Sequence, residues 1–104
     1  LARLMERIQA RRHASPRESY TRTLFDGGID LLGAKLCEEA GEVVEAARLE
    51  GEAGREAVVH EAADLVYHLL VTLAYCGVTL ADVEAELARR FGTSGLEEKA
   101  RRGK

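Results

Sequence analysis

Hydrophobic residues recur every three or four positions along most of the chain, which is the spacing that places them on one face of an α-helix. This spacing predicts helices at residues 1–13, 29–50, 55–76 and 79–91, with a short segment at 19–25 before the first long helix. No segment alternates between apolar and polar residues as a half-buried strand does. We therefore expect an all-α fold, with the whole chain, 1–104, forming a single domain.

Glycines and capping residues mark the expected helix ends. Gly51–Gly54 is interpreted as the turn between the two long helices, and Gly77 as the C-terminal cap of the second. Ser15 is expected to cap the short segment, and Thr79 with Asp82 has the spacing of a capping box before the last helix. The two long helices are thus predicted to pack as a central antiparallel pair.

The second long helix is apolar almost all round from Ala62 to Cys76. A helix of this kind is buried on most sides. Because a domain of 104 residues has a limited core of its own, we expect dimerisation to complete the helical bundle. The two cysteines, Cys37 and Cys76, cannot form a disulfide framework, and we interpret them as small buried residues in a reducing compartment.

Composition narrows the class of protein. Hydrophobic residues make up 46% of the chain and charged residues 32%, as in soluble globular proteins. The net charge of −3 argues against broad nucleic-acid binding, which requires a basic face. No apolar run reaches the ~20 residues that span a bilayer, and the basic N-terminal helix lacks the apolar core of a signal peptide. We therefore expect a cytoplasmic protein without a membrane or nucleic-acid partner.

The candidate chemistry lies in two acidic groups on consecutive helices. Glu39 and Glu42 share a face of the first long helix, as do Glu61 and Asp64 on the second, because residues three or four apart are neighbours on a helix surface. If the chain reverses near residues 51–52, Glu42 comes opposite Glu61 and Glu39 opposite Asp64. The pattern predicts four carboxylates at one level of a helical hairpin.

Four carboxylates in a partly buried cleft repel one another and lose hydration, so they need compensation. All-oxygen ligands suit Mg²⁺, Mn²⁺ or Ca²⁺, whereas Zn²⁺ more usually takes His or Cys. An ordinary solvated acidic face is the competing interpretation, since EExxE alone is common on helix surfaces. Against it, Glu61, Asp64 and His68 form one polar stripe on an otherwise apolar helix. His68 itself fits a core histidine better than a ligand.

The spacing of these residues matches that of a known group of proteins. KxxEExxE followed by ExxD on two helices resembles the MazG-like all-α nucleoside triphosphate pyrophosphohydrolases. With SYTRTLFDGGIDLLGAKLCEEAGEVVEAA, HEAADLVYHLLVTLAYCGVTLADVEAELARR and GLEEKARR, nearly the whole chain is similar to the phosphoribosyl-ATP pyrophosphatases of histidine biosynthesis. EExxE…ExxD specifies only the superfamily, and the SYT and GLEEKA segments point to this branch. Leu36-Cys37 departs from the Val-Gly that family members more often have.

The resemblance implies Mg²⁺-dependent hydrolysis of phosphoribosyl-ATP to phosphoribosyl-AMP and pyrophosphate by a stand-alone homodimer, with Mn²⁺ as a substitute metal. Carried over residue by residue, it implies four groups of site residues. The metal ligands would be Glu39, Glu42, Glu61 and Asp64, and the catalytic carboxylates would be Glu38 and Glu42. The phosphate contacts would be Lys35, Lys99 and Arg102. The residues that shape the substrate pocket would be Ser19, Tyr20 and Thr21.

Two alternatives stay open from the sequence. One is a related pyrophosphohydrolase that acts on other nucleoside or deoxynucleoside triphosphates. The other is a helical dimerisation module with a solvated acidic face and no enzymatic activity. Assays of pyrophosphate release over a panel of nucleotides distinguish the first, and a defined, saturable metal site distinguishes the second.

Overall fold

Two long helices joined by a short loop form the centre of the structure, a computed structural model that describes residues 1–14 and 19–91. Within these residues the chain forms only helices and the loops between them, which confirms the predicted all-α class. Helices α2 and α3 follow one another as a hairpin and make the principal packing contact of the fold. The bounds of the helices are α1 Ala2–Arg11, α2 Tyr20–Ala47, α3 Gly51–Tyr75 and α4 Leu80–Arg90.

Helix α2 is kinked at Gly28, which has φ 67° and ψ −165°. This backbone conformation is essentially restricted to glycine. The kink confirms the break predicted between the short segment and the first long helix. The N-terminus of α2 is capped by Ser19, whose hydroxyl oxygen accepts the backbone N–H of Arg22 at 3.3 Å. The predicted cap Ser15 lies outside the described residues.

The predicted turn at Gly51–Gly54 is wrong, because the chain reverses at residues 48–50 and α3 begins at Gly51. Gly51 has φ 74°, so it provides the left-handed step from loop to helix. Gly54 is buried in the first turn of α3, where a Cβ atom would overlap the backbone carbonyl of Leu49. This glycine allows the helix to approach the loop closely and does not form the turn.

The predicted signals at the end of α3 and the start of α4 are confirmed. Gly77 has φ 72°, and the N–H of Val78 donates to the carbonyl oxygen of Leu73 at 2.9 Å, the long hydrogen bond of a Schellman motif. Thr79 and Asp82 form a reciprocal capping box, with both side chain–backbone distances at 3.0 Å.

The hydrophobic core lies at the end of the hairpin that is far from the loop. There α1 packs across the first half of α2 and the second half of α3. The guanidinium of Arg12 sits 5.0 Å from the centre of the Phe25 ring and donates to the Ala74 carbonyl at 3.2 Å. This packing leaves the acidic residues between the core and the loop. The buried core residues are Ile8, Leu24, Phe25, Leu32, Leu70, Val71 and Ala74.

Helix α3 is only partly covered by the described residues. Leu69 is 44% exposed, and the residues on its side of α3 face away from the buried Leu70 and Val71. Cys37 and Cys76 are both exposed, so the prediction that they are buried is wrong. By length and hydropathy alone α3 could cross a membrane, which is weak evidence because core helices of soluble proteins pass the same test.

Candidate functional site

The hairpin brings the predicted carboxylates together between the core and the loop. Carboxylate oxygens of Glu39, Glu42 and Glu61 lie within 4.8 Å of one another. Glu61 also belongs to a second group, with ligand atoms of His60 and Asp64 within 4.8 Å. We call the four carboxylates, Glu39, Glu42, Glu61 and Asp64, the acidic cluster. The predicted pairing of Glu42 with Glu61 is therefore present, and Asp64 joins the group through Glu61.

Two carboxylates of the acidic cluster, those of Glu39 and Glu61, have pKa values raised above the ordinary value. Burial raises the pKa of Glu39, and the negative charge of Glu42 raises it further. A hydrogen bond that protonated Glu61 donates to Glu42 raises the pKa of Glu61, with burial as the second cause. Glu39 is the most enclosed of them, only 7% exposed. The cluster is thus electrostatically frustrated without a compensating cation.

Two buried carboxylate oxygens of the acidic cluster lack a hydrogen-bond partner within the described residues. These atoms are Oε2 of Glu39 and Oε2 of Glu61. A buried, unpaired carboxylate oxygen is costly, and a divalent cation satisfies it directly. Three carboxylates with converging oxygens are the hard donor set that Mg²⁺ and Mn²⁺ prefer. The residues present therefore fit such an ion.

The basic side chains near the acidic cluster lie at its edge. His60 Nε2 is 3.5 Å from Asp64 Oδ2, an ion pair only when the imidazole is protonated. Lys35 Nζ is 3.7 Å from Glu38 Oε2, and Glu38 is exposed. Glu38 therefore lies beside the cluster and is not one of the converging carboxylates. The other two predicted phosphate contacts, Lys99 and Arg102, lie outside the described residues.

The SYT segment opens α2, and its three side chains have different surroundings. Ser19 is buried and its hydroxyl oxygen is engaged in the helix cap. Thr21 is buried with its hydroxyl hydrogen-bonded to the Tyr67 hydroxyl. Tyr20 is half exposed, and together with Thr21 and Tyr67 it lines a cavity of about 270 Å³. Tyr20 and Thr21 thus line this cavity, while the role of the SYT segment in binding a substrate stays a prediction.

Tyr20 is hydrogen-bonded through His68 to the backbone of α3 at Asp64. The sequence spacing alone did not predict these contacts. His68 is buried, and its Nδ1–H donates to the backbone carbonyl of Asp64 at 2.8 Å. In the neutral imidazole Nε2 is then an acceptor, so the Tyr20 hydroxyl donates a hydrogen bond to it at 3.1 Å. The available sequence signal was the position of His68 one helical turn after Asp64 on the same polar stripe.

Tyr20 lines the cavity, and its hydroxyl group is also within range of the negative charge of Glu39 in the acidic cluster. Burial raises the pKa of the Tyr20 hydroxyl. The positive charge of Lys35 opposes this shift, while the negative charges of Glu39 and Glu38 add to it. The ring of Tyr20 stacks on that of Tyr67, with centroids 6.3 Å apart. The two rings therefore form an aromatic wall of the cavity, and Tyr20 is also within electrostatic range of Glu39.

Comparison with known proteins gives a consistent result. The family model PRA-PH, phosphoribosyl-ATP pyrophosphohydrolase, matches residues 1–91. The phosphoribosyl-ATP pyrophosphatase of Rhizorhabdus wittichii is 53% identical over 104 residues, covering 100% of this chain and 95% of the relative. That of Rhodopirellula baltica is 50% identical over 102 residues, covering 98% and 85%. The chain belongs to the phosphoribosyl-ATP pyrophosphohydrolase family, hydrolases that cleave a phosphoanhydride bond.

Proposed function

We propose that the protein hydrolyses phosphoribosyl-ATP to phosphoribosyl-AMP and pyrophosphate at the acidic cluster, with Mg²⁺ held by Glu39, Glu42, Glu61 and Asp64. One observation carries this proposal: carboxylate oxygens of Glu39, Glu42 and Glu61 converge within 4.8 Å, and two buried oxygens in this group lack a hydrogen-bond partner. A triphosphate cannot approach such a group without a cation between the two sets of negative charge.

The carboxylates of the acidic cluster and the basic residues near it would have separate roles in this reaction. Glu39 and Glu61 present buried oxygens in fixed positions, and Glu42 lies between them. Bound Mg²⁺ supplies the positive charge that offsets the triphosphate and the charge that develops during the reaction. Lys35, beside Glu38 at the edge of the cluster, would contact a phosphate oxygen, as would Lys99 and Arg102.

Water attack at the α-phosphorus forms the new P–O bond, and the bond from the α-phosphorus to the bridging oxygen breaks to release pyrophosphate. The attacking water must lose a proton, which a nearby carboxylate can accept. Glu38 and Glu42 are the proposed acceptors. Glu38 suits this role because it is exposed beside the cluster and is not enclosed by other carboxylates.

The proposed function predicts that the purified protein releases pyrophosphate from phosphoribosyl-ATP only when Mg²⁺ or Mn²⁺ is present. Because the metal offsets the repulsion between substrate and cluster, chelation by EDTA should reduce turnover to background, and added Mg²⁺ should restore it. The same assay over a panel of nucleoside and deoxynucleoside triphosphates tests the substrate. Faster turnover of any of these than of phosphoribosyl-ATP would contradict the substrate assignment.

We also propose that two copies of the chain associate through the uncovered side of α3. Val58, Ala62, Leu65 and Leu69 recur at alternating spacings of four and three, as in helices that pack against a partner helix. Leu69 in this stripe is 44% exposed. The amphipathic α4 has no buried residue within the described chain, which leaves its apolar side available to the same partner. A soluble dimer in the cytoplasm would cover both surfaces.

The dimer proposal predicts that Leu69→Glu produces a monomer, because the substitution places a charge in the apolar stripe. Size-exclusion chromatography with light scattering should give the mass of two chains for the wild type and of one chain for the variant. Leu1→Glu is the matched control, since Leu1 is 68% exposed and directly precedes α1, outside the stripe. A dimeric Leu69→Glu protein would place the interface elsewhere.

A further inference from the structure

Two arginines of α1 line the same cavity as Tyr20, Thr21 and Tyr67. Arg7 and Arg11 are four residues apart, so their side chains lie on one face of the helix. Both side chains line one cavity of about 270 Å³. The proposed chemistry at the acidic cluster uses neither of them.

These two arginines differ from Arg12 and Arg22 in having no side-chain partner within the part of the chain that the structure describes. Arg12 is engaged with the Phe25 ring and the α3 backbone, and Arg22 is 2.8 Å from Asp26. Arg7 and Arg11 form no ion pair or hydrogen bond with other side chains in residues 1–14 and 19–91. Paired guanidinium groups without a carboxylate partner are suited to bind a phosphate group, because each presents several N–H donors in a fixed plane.

The triphosphate is not the anion that this cavity would take. The acidic cluster would receive the triphosphate through the metal, whereas the two arginines line a cavity to which none of the cluster's carboxylates contributes. Tyr20 links the two regions, because it lines the cavity with the arginines and its hydroxyl is within electrostatic range of Glu39. Phosphoribosyl-ATP has a second anionic group, the phosphate monoester of its phosphoribosyl arm, at the opposite end of the purine from the triphosphate. A substrate that is anionic at both ends matches a site with a metal at one end and two free guanidinium groups at the other.

We propose that Arg7 and Arg11 bind the phosphate monoester of the phosphoribosyl arm, and that this contact makes the enzyme specific for phosphoribosyl-ATP over ATP. The inference rests on the proposed function. The purine would lie against the aromatic wall, whose ring faces are suitable for stacking. With its triphosphate at the metal, ATP has no second anionic group for the two arginines, so it would not form these charge-assisted hydrogen bonds and would leave the cavity unfilled.

The test compares Arg7→Gln, Arg11→Gln and the double variant with wild-type enzyme. Each single variant should raise KM for phosphoribosyl-ATP by about tenfold, and the double variant by about a hundredfold, with kcat within about twofold of wild type. ATP is the second probe, used as an inhibitor, because it carries the triphosphate without the phosphoribosyl arm. Its inhibition constant should not differ between the variants and the wild type.

The matched control is Arg3→Gln, which removes the same charge from the same helix at a residue that does not line the cavity. Its KM should equal that of the wild type. An unchanged KM in Arg7→Gln and Arg11→Gln would overturn the inference, as would an equal weakening of ATP inhibition. Failure of the proposed function is a different outcome, because wild-type enzyme would then release no pyrophosphate from phosphoribosyl-ATP. Circular dichroism melting curves confirm that each variant is folded.

Discussion

Replacement of Glu42 by Gln is expected to lower kcat for pyrophosphate release by about a thousandfold and to leave the helical fold intact. The carboxylate of Glu42 lies between those of Glu39 and Glu61, and its charge contributes to the raised pKa of both. Gln keeps the shape of the side chain but removes the charge that would hold the metal. Because Glu42 is exposed, its replacement removes no core packing.

The control for this variant is Glu45→Gln on the next turn of α2. Glu45 is also exposed, but its carboxylate pairs with Arg48 at 3.2 Å and not with the acidic cluster. The two variants remove the same charge, and only Glu42→Gln should lose turnover. Isothermal titration with Mn²⁺ should show a saturable site in wild type and Glu45→Gln that is absent in Glu42→Gln. Near-wild-type turnover by Glu42→Gln would contradict the metal-site assignment.

The pairing of Glu42 with Glu61 could be predicted although the turn was misplaced. Helical periodicity is a local signal, so it identifies which carboxylates share a face without knowledge of the loop. Side chains on both helices also lean toward their own N-termini, which shifts the level at which residues meet across a hairpin. The partner of Glu42 is therefore not a simple reflection about the centre of the loop at residues 48–50.

The role of Gly54 could not be predicted, because glycine serves two purposes that look the same in a sequence. One is a left-handed backbone step, as at Gly51, and the other is close approach of another backbone, as at Gly54.

The exposure of Cys76 could not be predicted either. An apolar run shows that a helix is to be covered, but not whether its own chain or a partner covers each face.

Contacts between distant parts of the chain were also beyond the sequence pattern. Tyr20 and His68 are 48 residues apart, and their hydrogen bond depends on how the start of α2 lies against α3. Arg7 and Arg11 could be placed on one helix face, but the cavity they line exists only because α1 packs across the hairpin. Periodicity predicts faces, whereas the tertiary packing decides which faces meet.

The second large effect is expected in the stability of the metal-free protein. Glu39→Gln should raise the melting temperature of metal-free protein by several degrees, because it removes a buried charge from a group of like charges. The same substitution should abolish stabilisation by Mg²⁺. In the wild type, Mg²⁺ at 100 times its Kd contributes about 2.7 kcal/mol, which corresponds to a rise of roughly 10 to 20 °C. Differential scanning calorimetry with EDTA or Mg²⁺ measures both effects.

The pH dependence of stability should have a definite sign, because the pKa values of Glu39 and Glu61 are raised in the folded state above the ordinary 4.5. As the pH falls through these raised pKa values toward 4.5, the folded metal-free protein takes up protons before the unfolded chain does, so its free energy of unfolding rises. Glu39→Gln should flatten this slope, while Glu84→Gln, at an exposed position on α4, should not.

With Mg²⁺ present, the free energy of unfolding should instead rise as the pH rises, because protons and the metal ion compete for the same carboxylate oxygens. The stabilisation by Mg²⁺ should therefore be largest above the raised pKa values and shrink as Glu39 and Glu61 become protonated. A cluster that merely formed a solvated acidic surface would show neither the metal-free slope nor its reversal. A lower metal-free melting temperature for Glu39→Gln would mean that the carboxylate has a stabilising partner, and that the metal is not what compensates its charge.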